Sequence, residues 1–336
     1  MPARPLDPAV VTALVQDAAA APSLHNAQPW KFRLLRERGV LQVRADPTRA
    51  LPAEDPANRA LHLGCGAALF NLRVAAAHHG WEPTTVLLPD GSDPALLAEV
   101  RLDRPVRDED DLAPLHPAIA RRHTSRHPFT HEAVPVEVLD GLSAAALLEG
   151  CRLVFPDDFH VQTVLDLVHE AEERAVLDPE ARAELASWTR TEVRAPDGED
   201  GRQQPGDGIP VSAFGPRPRG NTGPMRDFAQ GRPVPGRESV EFEHVPRLGL
   251  LGTAEDRPVD WLRAGQALER VLLQATLDGL ATSLTSQALE WPELRWAVRE
   301  PGSASGGQIQ MVLRLGYGPH GESTPRRSVD DMLDVR

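Results

Sequence analysis

The 336-residue chain has two cysteines, a single lysine and no long uninterrupted apolar run. Cys65 and Cys151 are too few for a disulfide framework and too far apart for a CxxC pair, which excludes a disulfide-held scaffold and a cysteine-paired metal or redox centre. No apolar stretch approaches the roughly 18 residues a membrane helix needs. The opening MPARPLDPAV lacks the apolar core of a signal peptide, so a reducing cytoplasm is the expected compartment. Positive charge is also scarce: 36 basic residues face 49 acidic ones, for a net charge of −13, and Lys31 is the only lysine. That balance argues against nucleic acid and anionic membrane as partners. There is no Walker A loop and no GxSxG elbow, so nucleotide hydrolysis and serine-nucleophile hydrolysis have no support.

What remains fits a globular chain of roughly two domains or two halves, with 41% hydrophobic and 25% charged residues. A helix is expected over residues 7–21, with Pro8 near its start, and a strand from Trp30, whose Trp30, Phe32 and Leu34 share one face. A turn at Arg38 and Gly39 leads to a partner strand over 40–44. The apolar set between residues 56 and 79 is too broad for a surface helix and predicts a central one. Strands are expected at 86–88 and 100–102, with a charged connection over 103–115. Helices follow at 135–148, 159–174 and 179–193, with a strand at 152–155 and a long helix at 258–279. Residues 308–317 alternate as a strand. Residues 195–237 are dense in Gly and Pro and read as a structureless loop: a lid, a binding loop or a disordered insert.

The two long helices repeat one another. Gly66, Ala68, Leu69, Ala76 and Gly80 stand 199 residues before Gly265, Ala267, Leu268, Ala275 and Gly279. The alanine-rich segment 7–21 has a counterpart at 135–148. Two copies of one α+β unit in a single chain are the expectation, unless the common Ala and Leu residues match by chance.

Five groups of residues invite a chemical reading. Arg121, Arg122 and Arg126, with the Thr124 and Ser125 hydroxyls between them, suit a phosphate, or form a solvated charged turn. Arg326 and Arg327 could complete a phosphate site or lie in a solvated tail. Asn26 and Gln28, in the loop between the first helix and first strand, could read a heterocycle edge or pin loop backbone. Gly64-Cys65-Gly66 imitates the start of GxGxxG, but Leu69 stands at the third glycine and the surroundings are helical, which disfavours a dinucleotide-binding turn. His123, His127 and His131 have helical spacing that Pro128 interrupts, so no metal site is expected.

Taken together these motifs resemble the FMN-dependent nitroreductases. The residues Ala21-Pro22-Ser23, Asn26 and Gln28-Pro29-Trp30 are similar to the loop after that family's first core helix. Arg122-His123-Thr124-Ser125-Arg126 followed by Phe129 is similar to its phosphate-binding stretch, and 279–286 to the segment after its central helix. Leu315-Gly316-Tyr317-Gly318 with Arg326-Arg327 is similar to its C-terminal strand and basic pair. The order, with the phosphate stretch in mid-chain, resembles the Acg-type single-chain branch.

That resemblance implies an α+β nitroreductase-like fold in which two pseudo-symmetric halves, 1–115 and 116–336, mimic a homodimer. It makes 195–237 a lid-like insertion and the chain a monomer. It implies FMN as cofactor, NADH or NADPH as possible electron donor, and hydride transfer through flavin N5 to an unidentified small electron acceptor. No side chain is assigned as catalytic, because the flavin carries the chemistry. The implied cofactor residues are Pro22, Ser23, Leu24 and Asn26 from one half. From the other come Arg122, His123, Thr124, Arg126, Leu284, Thr285, Ser286, Arg326 and Arg327, with Arg122, Thr124, Arg326 and Arg327 on the phosphate. The reciprocal site lacks these motifs and is expected to be empty. The alternative is an FMN-sequestering protein whose lid blocks turnover; a scaffold that has lost flavin is a third reading.

Overall fold

The computed structural model describes residues 7–105, 111–190, 206–219, 225–299 and 307–336. Helix α1 (Pro8–Ala19) starts where the Asp7 carboxylate accepts from Ala9 N at 2.8 Å. Strands β1 (Trp30–Leu35) and β2 (Val40–Ala45) form a hairpin whose turn ends on Gly39 at φ +59°. Helix α2 (Arg59–His78) follows, then β3 (Trp81–Leu87) and β4 (Leu96–Pro105). Short α3 (His116–Ile119) leads to α4 (Val136–Leu148), β5 (Arg152–Val154), α5 (Asp158–Leu177) and α6 (Pro179–Ser187). Four two-residue strands come next: β6 (Thr189–Arg190), β7 (Ile209–Pro210), β8 (Arg217–Pro218) and β9 (Ser239–Val240). The chain closes with β10 (Arg247–Thr253), α7 (Pro258–Leu277), β11 (Ala281–Thr285), α8 (Pro292–Ala297), β12 (Gln308–Gly316), α9 (Val329–Met332) and β13 (Leu333–Val335).

The architecture is α+β and its topology repeats. One sheet contains the order β1-β2-β4-β3 and the other β5-β10-β12-β11, all neighbours antiparallel. Each half therefore runs helix, two strands, long helix, two strands. Strand β13 crosses back to pair in parallel with β1, so the chain's last strand belongs to the first sheet, a connection that a linear division at 115 does not convey.

The long helices α2 and α7 cross at two glycines. A Cβ on Gly265 would sit on the Leu63 carbonyl oxygen, and one on Gly66 would sit on that of Leu262. Both pairs are related by the same offset of 199 residues, so the contact is reciprocal about a local two-fold axis. The neighbouring leucines are exchanged: Leu262 of α7 packs in the first half's core, with Trp30, Phe32 and Leu69, while Leu63 of α2 packs in the second half's core, with Leu268 and Leu313. Gly64-Cys65-Gly66 is thus helix interior at a crossing, not a phosphate turn.

Three expectations need correction. Averaged over 18 residues, α2 is apolar and long enough to cross a membrane, but 83% of that window is buried inside the protein; it is a core helix. The central helix starts at Arg59 rather than 56, because the Asp55 carboxylate accepts from Leu61 N and fixes the first turn there. The described parts of 195–237 are not structureless: β7 pairs with β6, β8 with β9, and Ile209, Phe214 and Phe228 form a small core with Leu185. Residues 195–205, 220–224 and the expected helix end at 191–193 lie outside the described residues.

The crossing yields a direct test. Gly265→Ala or Gly66→Ala is expected to destabilise the protein by about 2–4 kcal/mol in chemical denaturation, because backbone must move apart to admit the methyl. Gly141→Ala, on exposed α4 with open space around it, is expected to be neutral or to stabilise by about 1 kcal/mol.

Candidate functional site

A cavity of about 400 Å³ opens at the seam between the halves, within the usual range for small-molecule sites. Eleven of the thirteen expected site residues line it: Pro22, Ser23, Leu24, Asn26, Arg122, His123, Thr124, Arg126, Leu284, Ser286 and Arg326. Thr285 does not. Strand alternation turns it away from the cavity between Leu284 and Ser286, and it is buried opposite Val312. Arg327 does not either. Its Nη1 donates to the Gln28 and Trp30 carbonyls and its Nη2 to that of Asp331, so it clamps β1 to the C-terminal tail.

The loop after α1 is held under backbone strain. His25, Asn26 and Gln28 all have positive φ, between 51° and 54°, a conformation that costs non-glycine residues and persists only where surroundings impose it. Here they do. Ser23 Oγ accepts from Gln28 N at 2.9 Å. Asn26 Nδ2 donates to Gly208 O and Pro325 O, and Gln28 Nε2 donates to Gly206 O at 2.7 Å. Both amides therefore pin backbone; of the two roles open to them, the structural one is what the hydrogen bonds show.

The arginines divide by what their donors do. Arg326 spends its guanidinium on the carbonyls of Ala19, Ala20 and Ala21, on Asn26 Oδ1 and on Thr324. It closes the C-terminus of α1, where unpaired carbonyls concentrate negative charge. Arg326 thus combines helix capping with its place in the cavity wall. Arg122 Nη2 also donates to Ala20 O, at 3.0 Å, and its Nε stands 3.4 Å from buried Glu269. Burial and the neighbouring Arg122 bring Arg326 down to about 9, and burial raises the Glu269 carboxyl. His123 is pushed below its ordinary value by burial and by the charges of Arg122 and Arg326. Arg126 differs from all of these. Its Nη1 donates to Ala213 O, its guanidinium lies 4.8 Å from the Phe228 ring centre, and no carboxylate among the described residues pairs with it. Burial alone brings it to about 10, so it stays charged at neutral pH.

Residues 206–219 and 225–237 pack against this loop and these cations. Gly215 abuts the Arg126 backbone so closely that a Cβ would not fit. Asp207 pairs with both Arg49 and Arg190. Met225, Arg226 and Phe228 line the cavity. Arg226 is buried between Glu54 and Glu290, whose charges, with that of Glu172, outweigh its burial and hold it above the ordinary arginine value. Glu54 also meets His25 Nε2. Burial would raise the Glu54 carboxyl, but Arg226 and His25 hold it down to about 2.

Sequence reasoning missed His25, Glu54, Arg59, Arg226 and Glu290, all in the cavity wall. Arg59 carried one signal: a cation opening a helix opposes the macrodipole and needs a reason.

A scan against protein-family models matches none. Rv3131 of Mycobacterium tuberculosis H37Rv, provisionally named an NAD(P)H nitroreductase, is 31% identical over 98% of this chain and 92% of its own length. The acg protein of the same strain, named likewise, is 30% identical over 97% of this chain and 96% of its own. A solved FMN- and NADPH-dependent nitroreductase, NfnB of a Sphingopyxis strain, covers 66% of this chain and 98% of its own at 18% identity, with a TM-score of 0.39, too loose to bear on the argument. A two-half α+β chain with a cationic cavity at its seam is the class that fold and site define. By its relatives, the chain belongs to the nitroreductase family, among its Acg-like members.

The Glu54 contacts predict a pH dependence. A carboxylate whose folded pKa lies below its unfolded value of about 4.5 stabilises the fold above that value and loses the contribution as pH falls toward about 2. Glu54→Gln is expected to lower stability by on the order of 2–3 kcal/mol at pH 7. The gap from wild type should shrink steadily below pH 4.5 in denaturation series.

Proposed function

We propose that the chain binds one FMN in this cavity and acts as a flavin-dependent NAD(P)H oxidoreductase on a small electron acceptor. The observation that carries the reading is Arg126: a buried cation in the cavity wall with no carboxylate partner among the described residues. Such a group has been desolvated without a countercharge and suits an anionic or electron-rich ligand. Arg122, His123 and Thr124 stand beside it and would hold the phosphate, with Arg326 adding charge from behind. Arg126 would stabilise negative charge on the ring system. Pro22, Ser23 and Leu24 from one half, and Leu284 and Ser286 from the other, would wall it. FMN, when bound, supplies hydride acceptance and donation at N5; the chain's residues bind it, orient it and exclude water. The names of the mycobacterial relatives support the same activity.

One observation favours a second reading, an FMN-holding protein that does not turn over. The segment carrying Met225, Arg226 and Phe228 lines the cavity and is tied to its wall by the Arg226 ion pairs. In that reading it is a closed lid; in the first it opens.

The purified protein is expected to show a flavin absorption spectrum, with the released chromophore identified as FMN by mass, one per chain; two per chain would overturn the single composite site. Arg126→Ala should weaken FMN retention about tenfold or more, the worth of a charged contact. Arg327→Ala should leave retention unchanged, since Arg327 points elsewhere. Anaerobic addition of NADH or NADPH should bleach the flavin within minutes; bleaching by dithionite alone would support the holding protein.

A further inference from the structure

The cavity contains a second cationic group that shares no hydrogen bond with Arg122, Arg126 or Arg326. Arg59 opens α2, the helix end least favourable for positive charge. It is 6% exposed and lines the cavity. Its Nη1 donates to Gln310 O at 2.6 Å and approaches Gln310 Oε1 at 3.4 Å. Asp55, Glu290 and Asp256 lie near enough to favour its charge, yet each is engaged elsewhere. Asp55 accepts from Leu61 N, Glu290 holds Arg226 and Ser286, and Asp256 is forked by Arg295. Asp55 also accepts from the Arg59 backbone N–H, but among the described residues none of the three carboxylates bonds to the Arg59 guanidinium. Burial and the Arg295 charge bring Arg59 only to about 10, so it is cationic at neutral pH.

A guanidinium carries five N–H donors, and Gln310 uses those of one nitrogen. Satisfying a glutamine carbonyl requires one neutral donor; it does not require a buried cation at the wrong end of a helix. The same hydrogen-bonded group holds an aromatic wall. Trp261 Nε1 donates to Asp256 at 2.6 Å, and Trp261 and Trp296 both line the cavity. Unspent guanidinium donors in the same cavity wall as the Trp261 indole, which Asp256 holds in place, match a planar ligand that ends in an oxyanion.

We propose that Arg59 selects the ligand that shares the cavity with FMN, by binding the carboxylate or phosphate of a planar anionic molecule; this rests on the flavin reading above. Electron acceptors of the aromatic-acid class, or the phosphates of a nicotinamide donor, present that chemistry.

The test is calorimetric binding to the FMN-loaded protein. The probes are 4-nitrobenzoate, its neutral counterpart 4-nitrobenzyl alcohol, and the non-reducing NADP⁺. Wild type should bind the acid about tenfold or more tightly than the alcohol, and Arg59→Gln should abolish that preference while leaving the alcohol unchanged. Arg59→Lys, which keeps the charge and loses the fork, should keep part of it. Loss confined to NADP⁺ would assign the oxyanion to the hydride donor and also supports the role of Arg59. If wild type prefers neither anion, or the preference survives in both variants, the proposal is overturned. Flavin content, read from the visible spectrum of the same samples, judges the cofactor separately. Full flavin without an Arg59-dependent preference sinks this inference alone; an intact preference without flavin sinks only the cofactor reading.

Discussion

The close approach of α2 and α7 at Gly66 and Gly265 is the contact on which the rest depends. Two long helices can cross with backbone touching backbone only where side chains are absent. Because each glycine meets the carbonyl of the leucine three residues before the other, the contact is its own mirror under a two-fold rotation. It also sends Leu63 and Leu262 into one another's cores, so neither core is complete without the opposite helix. The cavity follows from this arrangement. Its walls come from the loop after α1 and the start of α2 on one side, and from 122–126 and the end of β11 on the other. A shift at the crossing would move those walls relative to one another.

The electrostatics divide labour among the cations. In a chain with a net charge of −13, arginines gather around one cavity. Those whose donors are spent on the α1 carbonyls, Arg326 above all, fix the wall and add a field. Those with donors to spare, Arg126 and Arg59, can make contact. Arg226 belongs to neither group: clasped by Glu54 and Glu290, it neutralises carboxylates that would otherwise oppose an anionic ligand.

Much of this was legible in the sequence, for reasons that can be named. The 199-residue repeat was visible because a helix crossing demands glycine at one position and an apolar face around it. The loop and basic-stretch residues were legible because their motif carries local geometry. What escaped depends on direction and distance. Thr285 and Leu284 are neighbours in sequence and opposite across a strand. Arg326 and Arg327 look alike as letters, yet one caps α1 and the other clamps β1. Strand β13 is three residues long and is strand only because β1 offers it an edge. Arg226 sits in a Gly- and Pro-rich stretch with no periodicity, and only its buried carboxylate partners, from positions 54, 172 and 290, reveal its place.

The two halves differ most at one equivalent connection. Between β1 and β2 the chain turns through four residues ending at Gly39; between β5 and β10 it takes a long excursion that includes α5, α6 and the segment that lines the cavity with Met225, Arg226 and Phe228. In two identical subunits such an excursion would appear on both sides. Within one chain it occurs on one side only: α5 packs against β10 and β12, while the segment after α6 reaches the cavity's own residues, with Gly215 on Arg126, Gly208 on Asn26 and Arg226 on Glu54. Arg226 therefore ties this excursion to the cavity wall and at the same time offsets two of the wall's carboxylates, so one side chain serves both packing and charge.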